Sequence, residues 1–90
     1  MSIAALKLKV MPKSVETNLE KLKSEIEKTV KKFDAKTHSI EKQEVAFGLK
    51  ALIITLAWPE EKSTEEAVKE ILHIQDVSSV DVIDYRRAFG

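Results

Sequence analysis

The chain has 90 residues, 43% of them hydrophobic and 33% charged, with 15 basic residues balanced by 15 acidic ones. That length holds one modest core, so residues 1–90 read as a single domain, and the neutral balance removes any bulk electrostatic reason to coat nucleic acid or an anionic membrane. The absence of cysteine excludes disulfides and thiol chemistry, the longest apolar run (Ala51 to Trp58) is too short to span a bilayer, and the N-terminus lacks signal-peptide character, so the expected location is the cytoplasm.

Leu6, Lys7, Leu8, Lys9 and Val10 alternate strictly and stop at Pro12, which predicts a first strand with one buried and one wet face. Thr17, Asn18, Leu19 and Glu20 then set a capping box ahead of Leu19, Leu22, Ile26, Val30 and Phe33, the stripe of an amphipathic helix. Its polar face carries Glu25 with Lys28 and Glu27 with Lys31, pairs at helical spacing on a solvated surface. Residues 36–46 are polar, with Ile40 and Val45 as the main apolar anchors, and read as a second strand at a sheet edge. Leu49 to Trp58 is apolar on both alternating faces, as a central strand should be, and Pro59 ends it. Ser63, Thr64, Glu65 and Glu66 repeat the capping box before Ala67, Val68, Ile71 and Leu72, a shorter helix ending near Gln75 or Asp76. Ser79 to Arg87 is a β-branched last strand.

Strand, helix, strand, strand, helix, strand is the order of the α+β, ferredoxin-like βαββαβ sandwich: a four-stranded antiparallel sheet with two helices on one face. Strands one and three then lie in the middle. Lys7 and Lys9 face away from the helices and give the open sheet face basic charge. This fold hosts many unrelated activities, so function must come from particular residues.

A search for catalytic chemistry comes back empty. His38 and His73 are far apart without a ligand pattern and read as surface or capping residues, Asp76, Asp81 and Asp84 lack calcium-loop spacing, and Ser78 and Ser79 lack the context of a nucleophile elbow. With 2 glycines in the chain, Gly48 and Gly90, there is no phosphate-binding loop, and neither a metal nor a cofactor is expected.

The segment Val45-Ala46-Phe47-Gly48-Leu49-Lys50-Ala51-Leu52 stands out, because a large ring sits beside the internal glycine at a predicted corner. Two readings stay open on the residues alone. Phe47 is either a lid folded over the core, which is the commoner use of such a ring and worth about 1.5–3 kcal/mol, or a contact residue held outward where Gly48 permits the turn.

Four blocks in this order, Lys9-Val10-Met11-Pro12, Leu19 to Ile26, Val45 to Leu52 with its Ala46-Phe47-Gly48-Leu49 centre, and Asp84-Tyr85-Arg86-Arg87, identify a resemblance that covers essentially the whole chain. The chain resembles the archaeal elongation factor 1-beta family, small exchange factors for the GTPase elongation factor 1-alpha. That resemblance implies a protein that is not an enzyme: it binds the GDP-bound GTPase, disturbs its nucleotide and magnesium site, persists on the nucleotide-free form and lets GTP enter. It also implies that the phosphate site belongs to the GTPase, that the factor is a monomer when free, and that it needs no nucleic acid or membrane. Phe47 with Gly48 matches the family's loop that projects toward the GTPase. The resemblance implies for Arg86 or Arg87 the charged role near the magnesium site that a C-terminal lysine has in eukaryotic relatives; on the residues alone the pair also reads as the cap of an exposed strand end that blunts edge pairing. The match departs there, since arginine replaces lysine and Ala88, Phe89 and Gly90 follow. Lys50 and Lys7 are further contact candidates on the open sheet face.

Two other classes share the fold. A small-molecule-binding regulatory module would dimerise and bind its ligand at the interface. An RNA-binding module needs exposed aromatics on the central strands, where this chain offers Trp58 at a strand end.

Overall fold

A computed structural model describes residues 2–87. The elements are β1 (Ile3–Pro12), α1 (Leu19–Lys31), β2 (Lys36–Ala46), β3 (Leu49–Pro59), α2 (Thr64–Leu72) and β4 (Val77–Arg87). All four strands form one antiparallel sheet in the order β2-β3-β1-β4, which is the ferredoxin-like arrangement, with the polar β2 at an edge.

The central pair is in simple register from Ile3 opposite Pro59 to Val10 opposite Leu52. Side chains of a strand alternate between faces, so the even-numbered residues of both strands share one side. There Leu6, Leu8, Val10, Leu52, Ile54, Leu56 and Trp58 meet Leu22, Ile26 and Val30 of α1 and Ala67 and Ile71 of α2 in one buried cluster. Each large side chain in it contributes about 1.5–3 kcal/mol by leaving water. Trp58 also stacks at a tilt on Phe33, 5.5 Å between ring centroids, and its indole Nε1 donates to the Lys62 carbonyl at 3.1 Å.

Element boundaries differ from expectation where side-chain chemistry has a second use. β1 starts at Ile3 because Ile3, Ala4 and Ala5 are all apolar and hide the alternation that continues through them. Asn18, not Thr17, caps α1 and accepts from the Lys21 N–H at 3.1 Å; the Thr17 hydroxyl instead accepts from the Ser14 N–H. Ser63 caps α2 as expected, accepting from the Glu66 N–H at 3.2 Å. α2 ends at Leu72, with His73 in the C-cap position, because the following residues tighten into turns closed by Ile74 to Ile71 and Val77 to Ile74. β4 accordingly begins at Val77 rather than Ser79.

The charge pairs of α1 also differ. Among the described residues neither Glu25 with Lys28 nor Glu27 with Lys31 forms an ion pair; Glu20 does, 3.2 Å from Lys23 and 3.6 Å from Lys42 of β2. The hydrogen bond and charge of Lys23, with the charge of Lys42, hold the Glu20 carboxyl below its ordinary value. A carboxyl depressed in the folded state stabilises above its ordinary pKa, and that contribution disappears as the pH falls through the lowered value. An NMR titration should find the Glu20 midpoint below the usual carboxylate range, and Lys23→Ala should return it upward; an unmoved midpoint would show that the pair is not populated in solution.

Asp34, after the end of α1, has φ 61°. The left-handed turn lets the Ala35 N–H reach the Val30 carbonyl at 3.3 Å, closing the helix. Asp34→Gly removes the side-chain penalty at this angle and a negative charge from a helix C-terminus, at the loss only of an exposed pair with Lys62. Denaturation followed by the fluorescence of the single tryptophan, Trp58, should show a gain of about 0.5–1 kcal/mol.

Candidate functional site

β2 and β3 are joined by two residues, with Ala46 opposite Leu49 as the last pair. Phe47 has φ 47° and Gly48 φ 83°. Positive φ at both loop positions is what a type I′ hairpin requires, and asparagine or aspartate followed by glycine is its usual filling. Phenylalanine at the first position bears a penalty of about 1–2 kcal/mol for the left-handed backbone. Its ring recovers nothing by burial, because Phe47 is 102% exposed. The lid reading therefore fails and the outward reading stands. Just before the tip the register shifts, leaving Val45 without a partner opposite, a bulge that bends the hairpin end.

Lys50 does not stand on the open face. It shares the parity of Leu52 and Ile54, and it borders a notch with Leu19 at the start of α1, so it belongs to the helix side, beyond the end of the core. The alternation that carries Leu52 inward carries Lys50 to the same side. Lys7 and Lys9 are on the open face, but each lies level with an aspartate of β4, Asp84 and Asp81 respectively, so that face is not a basic surface. Trp58 is buried on the helix side and presents no ring there.

Arg86 and Arg87 sit at the other end of the sheet. Arg86 is level with Ala5 and, through it, with Ala57 on β3. From Phe47 to Ala57 the strand rise amounts to about 33 Å, within a molecule 42 Å long. The structure thus brings Phe47, Gly48 and Lys50 together and sets the arginines apart from them. Neighbours on a strand point to opposite faces, so Arg86 faces the open side and Arg87 the helix side. Each meets a carboxylate: Arg86 Nε lies 3.1 Å from Asp84, Arg87 Nε 3.5 Å from Glu60. The residues after them, Ala88 to Gly90, lie outside the described residues.

Among the described residues no group of three histidines, cysteines or acids is placed to hold a metal, and no helix is long and apolar enough to cross a membrane. Val15, missed by the sequence reading, sits beside the hairpin on the β1–α1 turn and is 61% exposed. Nothing in its polar neighbourhood gives a periodic signal that would have singled it out.

The EF-1 guanine nucleotide exchange domain family matches residues 5–87. Elongation factor 1-beta of Methanosarcina barkeri is 43% identical over 89 residues, covering 97% of this chain and 99% of that protein. Its counterpart from Methanococcus aeolicus is 38% identical over 85 residues, covering 93% and 96%. Among solved structures, the C-terminal domain of the MgtC protein from Mycobacterium tuberculosis superposes with a TM-score of 0.69 at 13% identity, over 96% of this chain and 88% of that one. The ACT domain of the GTP pyrophosphokinase of Chlorobium tepidum does so with 0.60 at 15% identity, over 92% and 100%. At such identities the two structures speak for the fold alone.

The strain at the hairpin is measurable without a partner. Phe47→Asn should leave the protein as stable or raise its stability by about 0.5–1 kcal/mol in chemical denaturation, since asparagine tolerates the left-handed angle. A loss of several kcal/mol would mean that the ring is packed in solution.

Proposed function

The chain belongs to the EF-1 guanine nucleotide exchange domain family, and on that premise we propose that it promotes exchange of GDP for GTP on elongation factor 1-alpha by binding the GTPase and disturbing its nucleotide and magnesium site. The observation that carries this reading is Phe47, held outward at a strained turn with no contact of its own to justify the conformation. Backbone strain at an exposed residue is retained where a partner uses it. Phe47 acts as an apolar anchor in the GTPase, Gly48 permits the turn that presents it, and Lys50 adds a cation on the same end.

Arg86 and Arg87 act at the far end. Either guanidinium competes with magnesium or draws on the nucleotide phosphates only after leaving Asp84 or Glu60, and exposed pairs of this kind open for about 0–1 kcal/mol. The two ends therefore meet different parts of the GTPase. No bond is made or broken. A factor that weakens nucleotide binding is itself weakened by nucleotide to the same degree, so incoming GTP expels it. The factor speeds exchange without shifting its equilibrium.

Release of fluorescent GDP from the cognate elongation factor 1-alpha, in excess unlabelled nucleotide and with catalytic amounts of this protein, tests the proposal. Release should accelerate and turn over many GTPase molecules per factor, and Phe47→Ala should lower the apparent kcat/KM by about thirtyfold, as loss of an interface anchor does. Arg86→Ala and Arg87→Ala should lower the rate at saturation more than the half-saturating concentration. Unchanged release with both proteins folded overturns the function, and full activity of Phe47→Ala overturns the anchor.

A further inference from the structure

Phe47 is not the only apolar side chain presented at its end of the molecule. The β1–α1 connection contains a hydrogen-bonded turn in which the Thr17 N–H donates to the Ser14 carbonyl at 3.2 Å and the Ser14 N–H donates to the Thr17 hydroxyl at 3.3 Å. The Ser14 hydroxyl accepts from the Glu16 N–H at 3.1 Å, and the Lys13 N–H ties the loop to the Asp76 carbonyl at 2.9 Å. Val15 stands at the tip of this fixed turn, 61% exposed.

Between that turn and the hairpin lies a notch of about 170 Å³, lined by Pro12, Ser14, Thr17, Leu19, Gly48 and Lys50, with Val15 at its rim. Its lining has one polarity. Lys50 is the one charge in the lining; Glu44 of β2 lies level with it across the strand but outside the notch, and among the described residues Lys50 is in no ion pair. Each hydroxyl accepts one backbone N–H and keeps a proton to donate beside its second lone pair. An ammonium and two hydroxyl donors, with no carboxylate among them, suit an anionic acceptor of about the size of a carboxylate.

We propose that the β1–α1 turn and the β2–β3 hairpin form one docking surface for the GTPase, with Val15 as a second apolar anchor beside Phe47 and the notch between them receiving an acidic side chain of the partner through Lys50, Ser14 and Thr17. The inference rests on the exchange-factor reading and extends its contact from one ring to a three-point surface: two apolar anchors flank a charged pair that docking would desolvate. Anchors surrounding a shielded polar contact are how compact interfaces concentrate affinity. The fixed turn matters, because a side chain already held in place gives up little conformational freedom on binding.

The test is GDP release from elongation factor 1-alpha with Val15→Asp, Lys50→Ala and Lys50→Arg, next to the wild type, Phe47→Ala and Leu72→Ser, an exposed apolar change on α2. Val15→Asp should raise the half-saturating factor concentration about tenfold with the rate at saturation kept. Lys50→Ala should raise it about threefold to tenfold and flatten its dependence on ionic strength, with Lys50→Arg recovering most of the loss. Leu72→Ser should behave as wild type, and Trp58 fluorescence should give all variants similar melting temperatures. If wild type and Phe47→Ala differ as expected but Val15→Asp and Lys50→Ala match the wild type, this surface is wrong and the exchange function stands. If Lys50→Ala loses activity with no change in salt dependence, the carboxylate contact is wrong. If the wild type itself fails to release GDP, both readings fall.

Discussion

Pairing of β1 with β3 at the centre of the sheet is the constraint on which the remainder of the molecule depends. Eight consecutive rungs from Ile3 opposite Pro59 to Val10 opposite Leu52, without a register shift, fix which side chains of both strands face the helices. Those inward residues are apolar from Ala4 to Val10 and from Leu52 to Trp58, so the two helices have one face to cover, and the core is complete once they cover it. Among the described residues Thr29 is the single buried polar residue outside this apolar set, and its hydroxyl donates to the Glu25 carbonyl at 2.9 Å. A core assembled that way leaves no interior position for chemistry among the described residues. The proposed contacts accordingly fall at the turns and strand ends.

Among the described residues two non-glycine residues have positive φ, and their surroundings differ. Asp34 adopts the left-handed angle where a helix must end, its neighbours' hydrogen bonds depend on it, and aspartate is among the residues that tolerate it. Phe47 adopts the same region where asparagine would serve better, and its ring touches little of its own chain. Folding the ring under would have gained about 1.5–3 kcal/mol, and asparagine would have avoided part of the left-handed penalty of about 1–2 kcal/mol. Both gains are forgone at one position, and the folded chain offers no compensation for either. A partner does, under the proposed function.

Order and type of the elements were legible because each carries its own period: alternation in Leu6 to Val10, a three-four stripe from Leu22 to Val30, a doubly apolar run in β3. Faces were less legible at the ends of strands. Lys50 lies on the helix side rather than the expected open face because apolar residues on both faces of β3 conceal which parity is inward, and one residue of parity exchanges the faces. The bulges at His38, Val45, Ser78 and Ile83, where one strand has a residue without a counterpart, likewise depend on pairing and leave no trace in local composition. Thr17 and Asn18 are both good caps, and the choice between them was decided by a turn that took the threonine hydroxyl first. The Phe-Gly corner and the arginine pair were visible as candidates, but their separation was not, since distance along a sheet follows from strand order rather than from sequence.

That separation bears on how so small a protein would open a nucleotide site. A single contact at one end could hold the GTPase without changing it, because binding that is indifferent to the nucleotide state shifts nothing. Two contacts about 33 Å apart on one sheet, as the proposed function has them, would behave differently. Under the proposed function, docking of the Phe47 end would set the position of Arg86 and Arg87 through the β1–β3 and β1–β4 pairings, and a misfit at the far end would fall on the partner. On that reading the end that binds and the end that disturbs would belong to one sheet, and affinity gained at the hairpin would be available to displace what lies beneath the arginines. The length of the strands, more than any one side chain, would convert docking into exchange.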